Sequence, residues 1–162
     1  MNGRILKKKE LGEKELDQTD RSILALLQEN GRMSMTELGK QVGLTSPAAA
    51  ERVRRLEDKG VLTGYRAVVS PEAVGKAVIA YILMETEHCR RYVEFVRQVP
   101  EVAECHRIAG PYSYLTKLVT SSVRELETFI DASMEFGKPS TLVVLSSPLA
   151  QAPILPVKES VL

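Results

Sequence analysis

Cysteine is scarce in this chain of 162 residues, which contains only Cys89 and Cys105 and lacks tryptophan altogether. The two cysteines form no CxxC pair, although each has a histidine neighbour, His88 or His106. Because adjacent residues on a strand point to opposite faces, Cys105 and His106 cannot readily bind one ion, and zinc needs four convergent ligands. The sequence therefore predicts two reduced thiols and no metal site.

Long apolar runs are also missing. No segment approaches the length that crosses a bilayer, and the N-terminal residues lack the apolar stretch of a signal peptide. The sequence contains no Ser/His/Asp set, no glycine-rich phosphate loop and no paired carboxylates arranged for acid–base chemistry. We therefore expect a cytoplasmic protein with no membrane contact, no catalytic residue and no cofactor.

Charge is nearly balanced, since 22 Lys and Arg accompany 21 Asp and Glu and the net charge is +1. The two parts of the chain differ, however: residues 1–66 hold 13 basic and 10 acidic side chains, and the remainder holds 9 and 11. The N-terminal part is the basic one, as a nucleic-acid partner would require. So small an excess implies that affinity depends on local placement of cations and on several copies acting together.

A pair of short helices joined by a glycine occupies residues 34–60. Ser34 is predicted to cap the first helix, and Gly43 supplies the turn because glycine adopts positive φ without steric cost. Thr45 or Ser46 is predicted to cap the second helix, which has proline in its first turn. Together these features predict a helix-turn-helix that binds DNA.

The second helix of the pair carries arginines on a scaffold of small residues. At about 100° per residue, Ala48, Arg52, Arg55 and Lys59 share a lateral face, whereas Arg54 lies opposite the apolar stripe. Arginine can bind guanine through two hydrogen bonds, and an alanine methyl can pack on the thymine methyl. The alternative, an ordinary solvated helix face, is disfavoured by the surrounding helix pair.

An upstream helix completes the first domain. Asp17 is predicted as its N-cap, and Asp20 suits the positive end of the helix dipole. Downstream, the β-branched segment 61–70 predicts a wing-like strand or hairpin. Because three short helices give only a marginal core, we expect this domain to be stabilised by contact with a second domain or a partner chain.

The second half has segments in the order β-α-β-β-α-β, which predicts a ferredoxin-like antiparallel sheet with two helices on one face. The last helix is predicted to turn Val123, Leu126 and Phe129 inward. The first strand, at 76–87, is apolar at odd and even positions alike. A sheet that is apolar on its uncovered face needs another layer, which a second copy of the chain supplies most simply, so we expect a homodimer.

The predicted fold is thus α+β, with an N-terminal winged helix-turn-helix and a C-terminal ferredoxin-like βαββαβ regulatory and dimerisation domain. In the charged tail, Lys7, Lys8 and Lys9 are candidates for phosphate contact, with a frayed terminus as the alternative. The C-terminal extension is predicted either to pack as an extended arm on a neighbour or to stay mobile. The predicted boundaries are a tail at 1–16, a DNA-binding domain at 17–66, a hinge at 67–75, a dimerisation and effector domain at 76–148 and an extension at 149–162.

Five segments share their character and order with one known family: LDQTDRSIL, the ENGR that follows, SMTELGKQVGL, ERVRRLEDKGVLTGYRAVVS and IAGPYSYLTKL. Across 16–147 the chain resembles the Lrp/AsnC family of bacterial and archaeal transcriptional regulators. The resemblance implies a winged helix-turn-helix joined by a hinge to a ferredoxin-like domain. It also implies double-stranded DNA as a partner, homodimers and often octamers, bending or wrapping of DNA, and in some members control by a bound amino acid.

The same resemblance assigns the DNA-contacting residues to a recognition helix at 45–59. The candidates are Thr45, Ser46, Pro47, Ala48, Arg52, Arg54, Arg55 and Lys59.

The effector site departs from the family pattern. In the family the turn between the second and third strands commonly has the sequence G-D-Y-D-Y-L, whereas Pro111 and Ser113 replace both acids here. Serine offers an ammonium group only a neutral hydrogen bond. The protein therefore binds another ligand, binds an amino acid weakly, or acts without an effector as an architectural DNA-binding protein. The candidate effector residues are Gly110, Tyr112, Ser113 and Tyr114.

Two other interpretations stay open. Siroheme decarboxylases also resemble this family, and His106, Arg107, Tyr112 and Tyr114 lie in a region suited to such an enzyme. A decarboxylase would not need the basic recognition helix, so we expect no enzyme. The remaining alternative is a ligand-binding or assembly protein whose helix-turn-helix is vestigial.

Overall fold

The chain divides into two units. The computed structural model describes residues 16–156. Of these, 16–67 and 151–156 form the first unit, and Val68–Ala150 is the second. The predicted phosphate contacts of the lysine-rich tail lie outside the described residues.

Three helices make up the body of the first unit. Helix α1 spans Gln18–Glu29, α2 spans Met35–Val42 and α3 spans Ser46–Asp58. Their apolar stripes meet in one small aliphatic core, as expected for amphipathic helices of this length. The fully buried members of that core are Ile23, Leu24, Leu27, Leu38, Val53 and Leu56.

Local sequence determines where each helix begins. The N-cap side chains are Asp17, Ser34 and Thr45, and each accepts a hydrogen bond from the backbone N–H three residues on, at 2.8, 3.1 and 3.4 Å. Each bond satisfies a donor that the first helical turn leaves without a partner. Gly43 ends α2 at a φ of 71°. These predicted caps and the predicted glycine turn are confirmed.

A second glycine allows α2 to approach the turn closely. A Cβ added at Gly39 would lie 2.7 Å from the Leu44 carbonyl oxygen, inside any normal contact distance. The position therefore requires glycine for space rather than for an unusual backbone conformation.

No strand forms over the predicted wing at 61–70, although this part of the chain is described. The segment is exposed, and the Val68 side chain is 88% accessible. A strand needs a hydrogen-bonded neighbour, and β-branched composition alone does not supply one. The prediction of a wing is therefore wrong for the single chain, and the first unit is a helix-turn-helix without one.

The described part of the C-terminal extension, 151–156, lies along α1. Gln28 Nε2 donates to the Ile154 carbonyl at 3.1 Å, and the Ile154 N–H donates back to Gln28 Oε1 at 2.8 Å. Arg21 Nη1 donates to the Pro156 carbonyl at 3.2 Å. The segment thus contacts a helix of its own chain, and packing of the extension on a neighbouring molecule stays a prediction.

The second unit is a four-stranded antiparallel sheet with two helices. Its strands lie in the order β2-β3-β1-β4. The predicted ferredoxin-like βαββαβ arrangement is confirmed, and none of the described helices is long and apolar enough to cross a membrane. The elements are β1 (Val78–Glu85), α4 (Cys89–Val96), β2 (Val102–Arg107), β3 (Tyr114–Thr120), α5 (Val123–Ser133) and β4 (Lys138–Val143).

Strand register separates a covered face of this sheet from an open one. Ala80, Ile82 and Met84 of β1 are fully buried in a core that includes side chains of α4 and α5. The intervening residues of β1 point to the other side and are only half-buried. We call that side the open sheet face. With their cross-strand partners, its residues are Ile79, Tyr81, Leu83, Leu115, Lys117, Val119, Ser140 and Leu142.

Aromatic side chains dominate the core of the second unit. The rings of Tyr92 and Tyr114 lie 5.4 Å apart, and Phe95 stacks on Phe136 at 4.8 Å. The prediction that Val123 turns inward is wrong: its side chain is 68% exposed, because it is the first residue of α5 and lies outside the packed stripe.

Candidate nucleic-acid interface

The N-terminal end of α3 exposes a run of small side chains. Thr45 and Pro47 are exposed, and Ser46 and Ala48 are partly accessible. The Thr36 hydroxyl of α2 donates to Ser46 Oγ at 3.4 Å, which ties this end of α3 to the preceding helix. Small residues at a helix N-terminus allow its backbone to approach base edges and phosphates closely.

Arg52 is engaged with α1 rather than displayed to solvent. Its Nη1 donates to Asp17 Oδ2 at 2.5 Å and to Asp20 Oδ1 at 2.9 Å. The Arg52 side chain is 27% exposed, and that of Asp20 is 2% exposed. The hydrogen bond from Arg52 lowers the pKa of Asp17, and the bond to Asp17 raises the pKa of Arg52. Arg52 thus bonds both aspartates of an ion cluster between α1 and α3, of which only Asp20 is buried.

Arg55 has a looser contact with the same cluster. Its Nη2 lies 3.6 Å from Asp20 Oδ1, beyond normal hydrogen-bond length, and its side chain is 48% exposed. A guanidinium carries five N–H donors in a planar fork, so one distant carboxylate oxygen leaves most of them accessible to another acceptor. Arg55 is therefore the lateral-face arginine better placed to meet a phosphate or a base.

Arg54 is paired along its own helix. It donates to Glu51 at 2.7 Å and to Asp58 at 3.2 Å, and all three side chains are well exposed. Hydrogen bonding to Arg54 lowers the pKa of Glu51, and Glu51 raises the pKa of Arg54. The exposed row of Glu51, Arg54 and Asp58 carries two acids for one base. Exposed ion pairs of this kind contribute little stability.

Lys59 lies at the far end of α3 from the exposed small residues. It is the C-cap of the helix, 13 positions after Ser46, so at about 1.5 Å per residue the two are separated by roughly 20 Å. One short segment of a DNA groove cannot contact both ends of α3 equally. Contact of DNA with the eight candidate residues stays a prediction, but the structure divides them into an exposed N-terminal group of four, a locked Arg52, a paired Arg54, a half-exposed Arg55 and a distal Lys59.

Two contacts of α3 have no signal in the sequence. The helix dipole of α1 explains an acid at Asp20, yet this residue is also the buried acceptor of the ion cluster. The Tyr65 hydroxyl donates to Glu57 at 2.9 Å, and burial together with this bond raises the pKa of Tyr65 to about 12. Both contacts join residues that are distant in sequence or lie in an irregular segment, so helical periodicity could not indicate them.

The predicted effector residues lie at the β2–β3 turn and at the start of β3. The Ser113 hydroxyl donates to the Thr86 carbonyl at 3.0 Å, and the Ser113 N–H donates to the Met84 carbonyl at 2.8 Å. Tyr114 is 6% exposed and packs in the core beneath the helices. Ser113 and Tyr114 therefore serve the packing of this turn, and effector binding by Gly110, Tyr112, Ser113 and Tyr114 stays a prediction.

The cysteine and histidine residues are equally dispersed. Cys105 Sγ accepts a hydrogen bond from the Thr116 hydroxyl at 3.4 Å. His106 Nε2 lies 3.3 Å from Glu104 Oε2 on the same face of β2. Within 16–156, no group of three or more His, Cys, Asp or Glu side chains is arranged to hold a metal ion.

The capped helix pair, with α3 displayed at its surface, and the attached sheet domain define a DNA-binding transcriptional regulator with a separate regulatory domain. Residues 16–57 match the AsnC-type helix-turn-helix domain, and residues 78–154 match the Lrp/AsnC ligand-binding domain. The chain belongs to the Lrp/AsnC family of transcriptional regulators.

Similar proteins support this assignment along nearly their whole length. The HTH-type transcriptional regulator YezC of Bacillus subtilis is 61% identical over 132 residues, which cover 82% of this chain and 95% of that protein. The structure of Bacillus subtilis LrpC superposes with a TM-score of 0.80 at 29% identity, covering 85% of this chain and 99% of that one. A transcriptional regulator of Neisseria meningitidis in complex with L-methionine gives a TM-score of 0.81 at 28% identity, with 86% and 96% covered.

Proposed function

We propose that this regulator acts in the cytoplasm as a self-associating protein that binds promoter DNA through α3 and associates through the open sheet face. The observation that carries the proposal is the capped helix pair, in which α3 presents small residues at its exposed N-terminal end. A net charge of +1 supplies little general attraction to phosphates. Association of several copies would raise the local concentration of α3 helices near the DNA and so compensate for weak binding by each copy.

Within α3 we assign different roles to the two lateral arginines. Arg55, half-exposed and 3.6 Å from its carboxylate, contacts DNA. Arg52, with two shorter bonds to α1, fixes the angle at which α3 is presented. The base-reading end consists of Thr45, Ser46, Pro47 and Ala48, because their small, accessible side chains allow the backbone of α3 to approach base edges.

Self-association is supported by the composition of the open sheet face. Its residues on β1 and β3 are apolar apart from Lys117, which is paired with Glu104 at 3.0 Å. Leu142 on the edge strand extends the apolar surface and is 53% exposed. Such a surface is stabilised by burial against its own copy, and higher assemblies such as octamers can then form from the dimers.

An amino-acid effector is a further part of the proposal. The related regulator from Neisseria meningitidis is described in complex with L-methionine, and the second unit here matches the family's ligand-binding domain. The β2–β3 turn lacks the family's two acids, which favours weak binding there or an effector-independent architectural role over tight amino-acid binding in that pose.

We do not propose an enzyme. The residues considered for a decarboxylase lie on both faces of the sheet: His106 pairs with Leu115 on the open face, whereas Arg107 pairs with the buried Tyr114. Groups separated by a sheet cannot act on one substrate.

DNA binding is tested by titrating the full chain into labelled promoter DNA at low salt. Ala48→Glu places a negative charge at the exposed end of α3 and is expected to abolish the shift. Gln98→Glu adds the same charge on an exposed residue of the second unit and serves as the control. A wild-type chain that never shifts DNA, or equal behaviour of the two variants, would exclude the proposal.

Self-association is tested separately by sedimentation over a dilution series. Leu142→Asp on the open sheet face is expected to yield monomers, whereas Val123→Asp, equally exposed but at the start of α5, leaves the assembly intact. A wild-type chain that is monomeric at micromolar concentration would refute this part.

A further inference from the structure

A groove lies between α4 and α5 on the helical side of the second unit, apart from α3 and from the open sheet face. Its volume is about 290 Å³. That is close to the lower limit of small-molecule sites, so it suits a compound the size of an amino acid or a small amine. The lining combines apolar side chains with two carboxylates, chiefly Phe95, Val99, Glu101, Glu125, Phe129 and Ala132.

The apolar wall is preformed. Phe95 stacks on Phe136 with ring centroids 4.8 Å apart and lies 5.4 Å from the ring of Phe129. Phe129 and Phe136 are themselves buried in the core. The aromatic surface therefore needs no rearrangement to receive an apolar group, which lowers the entropic cost of binding.

The carboxylates give the groove an unbalanced charge. Glu125 Oε2 accepts from the Ser121 N–H at 2.8 Å, a bond that lowers the Glu125 pKa and keeps the group ionised at neutral pH. Glu101 lies 3.7 Å from Lys76 Nζ, which also donates to the Val119 carbonyl at 3.3 Å. Two acids against one lysine leave one negative charge, and each carboxylate retains lone pairs for a further donor.

We propose that the α4–α5 groove binds a small molecule that carries a primary ammonium group on an apolar body. Glu101 and Glu125 accept from the ammonium group, and Phe95 and Phe129 contact the body and add cation–π attraction. An apolar amino acid and the corresponding amine share this chemistry. With the amino acid, Lys76 is the partner for the additional carboxylate. This differs from the β2–β3 turn, where Ser113 and Pro111 provide no carboxylate.

Isothermal titration of the full chain with phenethylamine and with L-phenylalanine, in the absence of DNA, tests the proposal. We expect one molecule of at least one probe to bind per chain. Glu125→Gln keeps an oxygen acceptor for Ser121 but removes the charge, and should weaken binding about tenfold or more. Glu127→Gln on the same helix is the control. Equal effects of the two variants, or no binding of either probe, would overturn the proposal.

A steric test is independent of charge. Ala132 is exposed and lines the groove, so Ala132→Leu fills part of it without disturbing the core. We expect lost binding at unchanged melting temperature, whereas Ala73→Leu, outside the groove, has no effect. Unchanged affinity in Ala132→Leu would place the ligand elsewhere. Since neither experiment contains DNA, its failure would leave the proposed DNA binding untouched.

Discussion

The two units hold their helices in place by different means. In the second unit, stacked aromatic rings and fully buried strand residues form the core, and the polar Tyr92 and Thr116 hydroxyls satisfy each other at 2.8 Å. In the first unit, a handful of aliphatic residues is supplemented by the ion cluster of Asp17, Asp20, Arg52 and Arg55.

The comparison shows that Arg52 and Arg55 of α3, the proposed DNA-binding helix, also take part in the ion pairs that hold the first unit together. The stability gained by burying apolar surface does not depend on charge. The stability contributed by an ion cluster changes with pH, salt and competing anions. Two aspartates offset Arg52 and Arg55, so the face of α3 that seemed basic from its sequence is locally close to neutral. In the proposed role of Arg55, a DNA phosphate would compete with Asp20 for its guanidinium group.

The largest expected effect comes from removing the buried acid of this cluster. Asp20→Ala removes the one buried acceptor of Arg52 while Asp17 stays bound to it, and should destabilise the first unit by about 2 kcal/mol, typical of a lost hydrogen bond to a charged group. Hydrogen exchange of α1 and α3 amides measures this loss, and the amides of the sheet should not change. Asp17→Ala, whose side chain is half-exposed, is expected to cost only about 1 kcal/mol. Equal losses in the two variants would show that burial of Asp20 is unimportant.

A smaller effect is expected in the second unit at alkaline pH. Burial raises the pKa of Tyr92 to about 12. A raised pKa in the folded state means that the stabilisation is complete below the unfolded pKa near ~10 and is lost as pH rises toward 12. Unfolding monitored by circular dichroism between pH 9 and pH 12 should show this decline, and Tyr92→Phe should remove most of it. An identical pH profile in Tyr92→Phe would assign the decline to other groups.

The smallest effect concerns the extension on α1. Gln28→Ala removes both hydrogen bonds to Ile154 and should cost about 1 kcal/mol or less, since net contributions of such bonds are modest. Faster proteolysis near 151–156 is the expected sign, with Gln18→Ala on the exposed start of α1 as the control. Protection that persists in Gln28→Ala would mean that other contacts hold the segment.

Features that depend on neighbouring residues could be predicted from the sequence. The caps at Asp17, Ser34 and Thr45 and the turn at Gly43 follow from bonds within three residues or from one backbone conformation. The βαββαβ succession and its ferredoxin-like arrangement also followed, because such a succession of elements permits few topologies.

Features that depend on contacts between residues far apart in the sequence could not be predicted. Arg52 and Asp20 are 32 positions apart in sequence. A helical projection shows which face of α3 carries Arg52, but it does not show that the Asp20 carboxylate lies against that face. The burial of Tyr114 likewise depends on its register opposite Met84, which the sequence of the turn does not specify. The segment 61–70 has strand composition but no partner in the single chain.

The central claim is that Arg55 meets DNA while Arg52 positions α3. The most direct test is the slope of log affinity against log salt concentration for Arg55→Gln and Arg52→Gln, at a temperature where both variants are folded. Loss of one phosphate contact should reduce the slope by about 0.9 in Arg55→Gln. Arg52→Gln should keep the wild-type slope while lowering the stability of the first unit. A reduced slope in Arg52→Gln with a normal slope in Arg55→Gln would contradict the account.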